Sequence, residues 1–179
     1  MAVTGILGGR FDPPHVGHLA LADAAMKHFA IEELYVTVIV DAAHKPSIAP
    51  IEHRLEMARL TFAPLGAVVE REEHRYTVDA LEVRSYDDPI FLIGADELAD
   101  LPTWKQPERL LELTRLGVAT RPGYVPESST DRIEVFELEP QPVSSTEIRE
   151  RVRHDESVAG LVVPEVAAYI AEQGLYRDP

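Results

Sequence analysis

The sequence predicts an α/β fold: a Rossmann-like, doubly wound parallel sheet of about five to six strands with helices on both faces. Three observations carry that expectation. Short apolar runs recur along the chain and alternate with segments whose apolar residues fall at helical offsets, as in successive βα units. The first run passes through two glycines directly into a helical pattern, the arrangement with which a parallel sheet binds phosphate. Two later runs end in polar or glycine-containing stretches, His44-Lys45 and Gly94-Ala95-Asp96, at the carboxyl edge where such sheets hold ligands.

The elements follow in order. Val3 to Leu7 reads as a buried strand, and Leu19, Ala22, Met26 and Phe29 mark the helix behind it. Leu34 to Val40 gives a second strand, followed by a helix through Ile51, Leu55, Ala58 and Phe62. Ala67 to Glu70 is a third strand. A short helix through Val78, Leu81 and Arg84 follows, with Thr77 as its N-cap. Ile90 to Ile93 is the clearest central strand, and Asp96 stands either as cap of the next helix or as a ligand contact. Leu98 to Pro102 makes a helical turn, and Pro107 suits the first position of a helix to Leu113. Leu116 to Ala119 and Ile133 to Leu138 complete the sheet, the last with the irregular alternation of an edge strand. Ser144 and Glu147 form a capping-box pair, and Pro164 to Gln173 is a helix closed by Gly174. No repeat or linker divides the chain, so residues 1–179 are expected to form a single domain with a helical segment, 144–179, packed on it.

Composition narrows the function. Seventeen basic against 31 acidic residues leave a net charge of −14, which disfavours binding along a nucleic-acid backbone. The absence of cysteine removes disulfides, thiolate nucleophiles and thiolate metal sites. Neither a signal peptide nor an apolar run long enough to span a membrane is evident, so the expected location is the cytoplasm.

The chemistry concentrates in Gly8-Gly9-Arg10-Phe11-Asp12-Pro13-Pro14-His15-Val16-Gly17-His18. Gly8 and Gly9 let backbone approach a polyphosphate, while His15 and His18, three apart at a helix start, can reach one anion. Lys45 lies in a loop off the second strand. Arg54 opposes the dipole in the first turn of its helix, which suggests an anionic partner, either a phosphate or Glu52 or Glu56. Ser145, Thr146 and Arg149 add hydroxyls and a cation at another helix start, a second phosphate-binding candidate. Trp104, between two prolines in a polar loop, is either a ligand-facing aromatic or a lid over the core.

The glycine–histidine stretch resembles the signature of the nucleotidyltransferase superfamily that carries an HxGH motif. Arg75-Tyr76-Thr77, Ile93-Gly94-Ala95-Asp96, Leu101-Pro102-Thr103-Trp104, Arg121-Pro122-Gly123-Tyr124, Ser144-Ser145-Thr146-Glu147-Ile148-Arg149 and Gln173-Gly174-Leu175-Tyr176 extend that similarity to bacterial nicotinate-mononucleotide adenylyltransferases over nearly the whole chain. The resemblance implies that ATP and nicotinate mononucleotide give nicotinate adenine dinucleotide and pyrophosphate, with Mg2+ delivered by ATP. It implies catalytic roles for His15, His18 and Arg149. Gly8, Gly9, Arg10, Phe11, Gly94, Asp96, Ser145 and Thr146 would join these three in binding ATP. Lys45, Arg54, Tyr76, Thr77, Trp104 and Arg121 would bind the mononucleotide, with Thr77 and Trp104 on the pyridine ring. Arg10, Ala42-Ala43, His74-Arg75 and the short stretch 124–142 depart from the family pattern.

The residues suit that reaction. The attacking phosphate monoester has a second pKa of about 6 and is ionised at neutral pH, so no general base is needed. The sequence offers no carboxylate pair, Ser-His-Asp set or thiol that would act as one. Two alternatives stand beside this reading. One is a sister transferase taking nicotinamide mononucleotide or phosphopantetheine; the other is a non-catalytic adenine-nucleotide-binding module. A tRNA synthetase fragment fits the acidic charge and small size poorly.

Overall fold

The computed structural model describes residues 2–41, 46–123 and 130–177. Six parallel strands form one sheet in the order β3-β2-β1-β4-β5-β6. They are β1 (Thr4–Gly9), β2 (Glu33–Ile39), β3 (Val68–Glu72), β4 (Pro89–Gly94), β5 (Arg115–Thr120) and β6 (Ile133–Glu137). The helices are α1 (Val16–Phe29), α2 (Ile51–Phe62), α3 (Thr77–Val83), α4 (Ala95–Asp100), α5 (Pro107–Leu113), α6 (Ser145–Arg153) and α7 (Pro164–Gln173).

Strand alternation builds two cores. Leu7, Val36, Val38, Ile90 and Leu92 face one side of the sheet, packing with Ala22 and Ala25 of α1 and Ala58 and Phe62 of α2. Their neighbours Ile6, Phe91, Ile93, Leu116 and Val118 face the other, against Val78 and Leu81 of α3, Leu98 of α4 and Leu110 of α5. Successive side chains point to opposite faces of a strand, so fully apolar strands require helices on both sides. A third cluster joins Met57 of α2 to Ile148 of α6 and Val166 and Ile170 of α7, which seats the C-terminal helices on the body.

The chain reverses its direction of winding between β1 and β4, which are neighbours in the sheet. Parallel strands that splay apart at such a switch leave a crevice beyond their carboxyl ends. Gly8 and Gly9 end β1 there, and Gly94 ends β4.

Several boundaries differ from the sequence expectation. β1 runs on through both glycines, because each pairs with β2 rather than turning away. Thr77 is the first helical residue of α3, and extended Tyr76 occupies the cap position without a side-chain cap bond. At α4 the cap is Gly94, not Asp96. The Glu97 carboxylate accepts the Gly94 N–H at 2.9 Å, which leaves Asp96 exposed in the first turn. The turn expected from Leu98 belongs to α4, with a 3-10 turn over Leu101–Thr103 after it. Pro107 at the first position of α5, Ser144 capping α6 and left-handed Gly174 ending α7 stand as expected, and β6 lies at a sheet edge.

Candidate active site

The loop between β1 and α1 is held from several directions. Phe11 adopts a left-handed backbone (φ 50°) and is buried, its ring edge-on to His18 at 5.1 Å and to Phe62 at 5.6 Å. Asp12 is 1% exposed, and its carboxylate accepts three hydrogen bonds. They come from the Ile48 N–H at 2.6 Å, the Ala49 N–H at 3.1 Å and the Tyr176 hydroxyl at 2.8 Å. The loop carbonyls are taken up as well. Arg149 donates to Asp12 O at 2.8 Å, and the Ser145 hydroxyl donates to Pro13 O at 2.8 Å. The N-terminus of α6 is thereby docked onto the turn that begins α1.

At that turn the His15 N–H donates to His18 Nδ1 at 3.1 Å. An accepting Nδ1 puts the proton of neutral His18 on Nε2, leaving that atom as a donor. The two imidazoles stack, with centroids 3.7 Å apart and planes inclined by 27°. Gly17 leaves room beside the stack: a Cβ there would lie 3.1 Å from Cε1 and Nδ1 of His15, a tighter contact than side chains ordinarily make. Burial lowers the pKa of His15 to about 4; for His18, burial first and then the neighbouring His15 lower it to about 3. Both rings are therefore neutral at physiological pH. His15 Nδ1 is buried without a hydrogen-bond partner among the described residues.

A cavity of about 610 Å³ opens beside the loop, lined at one end by Gly8, Gly9 and Arg10 and at the other by Tyr76, Thr77 and Trp104. It does not include the imidazoles among its walls. Trp104 is half-buried and packs edge-on against Phe91 at 6.4 Å while facing the cavity. It is both a lid on the core and a wall of the cavity. Lys105 and Glu97, which sequence reasoning did not single out, also line this space. Lys105 Nζ sits 5.1 Å from the Tyr76 ring centroid and pairs with Asp79 at 2.7 Å.

The structure corrects the role expected of Arg54. Its guanidinium is 2% exposed and donates to four backbone carbonyls: Ala49 at 3.0 Å, Arg10 at 2.9 Å, Ile39 at 2.7 Å and Val40 at 3.0 Å. Burial lowers its pKa from the ordinary arginine value, with the Asp12 charge working against that shift. Its hydrogen bonds go to these carbonyls rather than to Glu52 or Glu56, and it braces the loop after β1 against the end of β2. Arg10 donates to Pro46 O at 2.9 Å and reaches the cavity. Arg149 also meets Thr146 Oγ1 at 3.2 Å. Arg121 follows β5 on the same sheet edge, exposed and outside the cavity lining. Lys45 lies outside the described residues.

Among the described residues, no group of three or more His, Asp or Glu side chains converges as a metal site. The one acid within the glycine–histidine loop, Asp12, is saturated by hydrogen bonds. These residues do not fit a resident metal cage. They suit an anion approached by backbone, imidazole and guanidinium donors.

Strand order, glycine loop and paired imidazoles together define a nucleotidyltransferase. The cytidylyltransferase-like family profile matches residues 6–151. A Thermomicrobium roseum protein named probable nicotinate-nucleotide adenylyltransferase is 36% identical over 198 residues, covering 99% of this chain and 92% of that protein. A Thermus thermophilus protein of the same name is 38% identical over 183 residues, covering 97% and 98%. Among solved structures, Plasmodium falciparum nicotinic acid mononucleotide adenylyltransferase complexed with NaAD shares the fold with a TM-score of 0.82. That likeness covers 98% of both chains at 19% identity. The chain belongs to the cytidylyltransferase-like family and, within it, to the nicotinate-nucleotide adenylyltransferases.

Proposed function

We propose that this enzyme transfers the adenylyl group of ATP to nicotinate mononucleotide, forming nicotinate adenine dinucleotide and pyrophosphate in the synthesis of NAD. The observation that carries the reading is the juxtaposition at the β1–β4 crevice. A donor-rich glycine–histidine loop stands at one end, and a cavity walled by the sole tryptophan leads away from it. The names of the relatives, and the NaAD complex of the P. falciparum enzyme, support the same substrates.

A phosphate oxygen of the mononucleotide attacks the α-phosphorus of ATP; the new P–O bond forms as the bond to the β-phosphate bridge breaks, and pyrophosphate leaves with that electron pair. The nucleophile is ionised near neutral pH because its second pKa is about 6, so no residue need remove a proton. The enzyme's task is to hold two mutually repelling anions in line and stabilise charge on the transferring group. His15, the Nε2–H of His18, Arg149 and the N-terminus of α1 supply donors for the phosphates. Gly8 and Gly9 let the backbone approach, with Arg10, Phe11, Ser145 and Thr146 around the triphosphate and Gly94 and Asp96 toward the adenosine. Tyr76, Thr77 and Trp104 take the acceptor, the indole attracting its cationic pyridinium ring. Lys45 and Arg121 complete the mononucleotide side.

Magnesium enters as part of the nucleotide substrate, coordinated by phosphate oxygens and water. The chain acts as one domain over residues 1–179, in the cytoplasm. No helix among the described residues is long and apolar enough to cross a membrane.

The test is pyrophosphate release from ATP with nicotinate mononucleotide, compared with nicotinamide mononucleotide and phosphopantetheine. Release that requires nicotinate mononucleotide and is fastest with it is expected. Equal rates with the amide would defeat the acceptor assignment, and ATP binding without turnover on any acceptor would leave a non-catalytic nucleotide-binding module.

A further inference from the structure

Behind the turn that carries Tyr76 and Thr77, one buried carboxylate grips both ends of α3. Glu72, the last residue of β3, is 4% exposed. Its Oε1 accepts the His74 N–H at 2.9 Å and lies 2.7 Å from His74 Nδ1, just ahead of the helix. Its Oε2 is 3.1 Å from Nη2 of Arg84, the residue that closes α3. Arg84 is fixed in turn, pairing through Nη1 with Glu70 and donating to the Tyr86 hydroxyl at 2.9 Å. Glu72 and Arg84 also wall a small space of about 30 Å³ whose boundary includes Tyr76 and Thr77, the same two residues that face the larger cavity.

Val78 and Leu81 seat the body of α3 on the sheet, and Lys105 and Arg109 pair with its Asp79 and Glu82. The residues leading into its first turn, however, are held from behind by this carboxylate. α3 has seven residues, and its cap residue makes no side-chain cap bond. A helix that short is not stable by itself and takes its position from its attachments. β3 lies at the edge of the sheet, so a single neighbouring strand steadies it. A buried carboxylate needs partners. Oε1 is hydrogen-bonded by His74, while Oε2 has the Arg84 charge beside it without a hydrogen bond among the described residues. Both partners lie on the segment that delivers Tyr76 and Thr77 to the cavity.

We propose that Glu72 is a positioning residue for the acceptor half of the cleft, acting through His74 and Arg84 to hold the Tyr76-Thr77 turn in register with Trp104. The inference rests on the reading above that these three residues take the mononucleotide. Loss of the grip weakens acceptor binding and leaves the ATP side, built on β1, α1 and α6, as it was.

The experiment pairs steady-state kinetics with the fluorescence of Trp104, the only tryptophan, in the full chain. Glu72→Gln keeps the volume and removes the charge that holds Arg84; Arg84→Met removes the partner at a more exposed position. Each is expected to raise KM for nicotinate mononucleotide, and the Kd read by tryptophan fluorescence, about tenfold. KM for ATP should stay within about twofold, and Arg84→Lys should recover most of the loss. An acceptor KM within about twofold of wild type in both variants, even with a lower Tm, overturns the proposal by leaving Glu72 a purely structural role. So does a parallel rise in both KM values. A wild-type protein whose fluorescence ignores the mononucleotide instead defeats the acceptor-site reading, and the positioning role with it.

Discussion

The hydroxyl of Tyr176 donates to Oδ1 of Asp12 at 2.8 Å, joining residues 164 positions apart inside the protein. Burial, followed by the Asp12 charge, raises the tyrosine pKa well above its ordinary value, so the hydroxyl keeps its proton. The end of the chain thus closes over the loop that begins the site, at the same carboxylate that holds Ile48 and Ala49.

Removing that hydroxyl as Tyr176→Phe leaves the ring in place and deletes one bond to a buried charge. A loss of about 1.5–3 kcal/mol in urea unfolding is expected, because hydrogen bonds to charged groups fall in that range. The loop loses one of its anchors, so KM for ATP should rise as well. An unchanged unfolding midpoint would mean that Asp12 is held adequately by the two backbone N–H groups.

Arg54 should behave as part of the framework. Arg54→Met removes every donor to four carbonyls while roughly keeping the apolar volume, and stranded buried acceptors are costly. A destabilisation above ~3 kcal/mol is expected, seen as a large fall in Tm. A variant with wild-type Tm and a selectively raised mononucleotide KM would return Arg54 to a substrate-binding role.

The contrast between Arg54 and Gly8-Gly9 shows what a sequence can carry. Apolar runs and turn residues are local properties, so the parallel sheet, the helices that follow its first four strands, the capped start of α6 and the end of α7 were legible. So was the position of the glycine–histidine loop between β1 and α1, because glycines after a strand and histidines at a helix start have meaning within one βα unit. Arg54 misleads because helix-dipole reasoning sees one turn, whereas the carbonyls that engage it come from three other segments. Asp12 stands in the middle of the motif, yet its partners Ile48, Ala49 and Tyr176 come together only on folding. Lys105 escapes for a similar reason: its contacts with Tyr76 and Asp79 cross from the α4–α5 connection to α3.

Trp104 links both halves of that lesson. Trp104→Leu keeps an apolar cover over Phe91 and removes the π face. The mononucleotide KM should rise about 2- to 30-fold, the range spanned by a cation–π contribution of ~0.5–2 kcal/mol. The ATP KM should move little. Equal losses for both substrates would mean that the indole serves only as a lid.

His18 provides the last test, because its burial has separate consequences for rate and stability. On the proposed role of His18 as a phosphate donor, His18→Ala should lower kcat by about 100- to 1,000-fold. Stability has its own signature. The folded values of about 4 for His15 and about 3 for His18 lie below the ordinary 6.5, so between them the unfolded chain binds more protons than the folded one. Stability therefore falls as the pH drops from neutrality through 6.5, and the histidine share of that loss levels off below the folded values. In His18→Asn an amide oxygen can accept the His15 N–H without titrating. The difference in Tm between about pH 7 and about pH 5 should be smaller in that variant than in wild type. If the two proteins lose the same Tm over that interval, the imidazole is not held neutral by its surroundings, and its role as an uncharged donor waiting for the triphosphate must be abandoned.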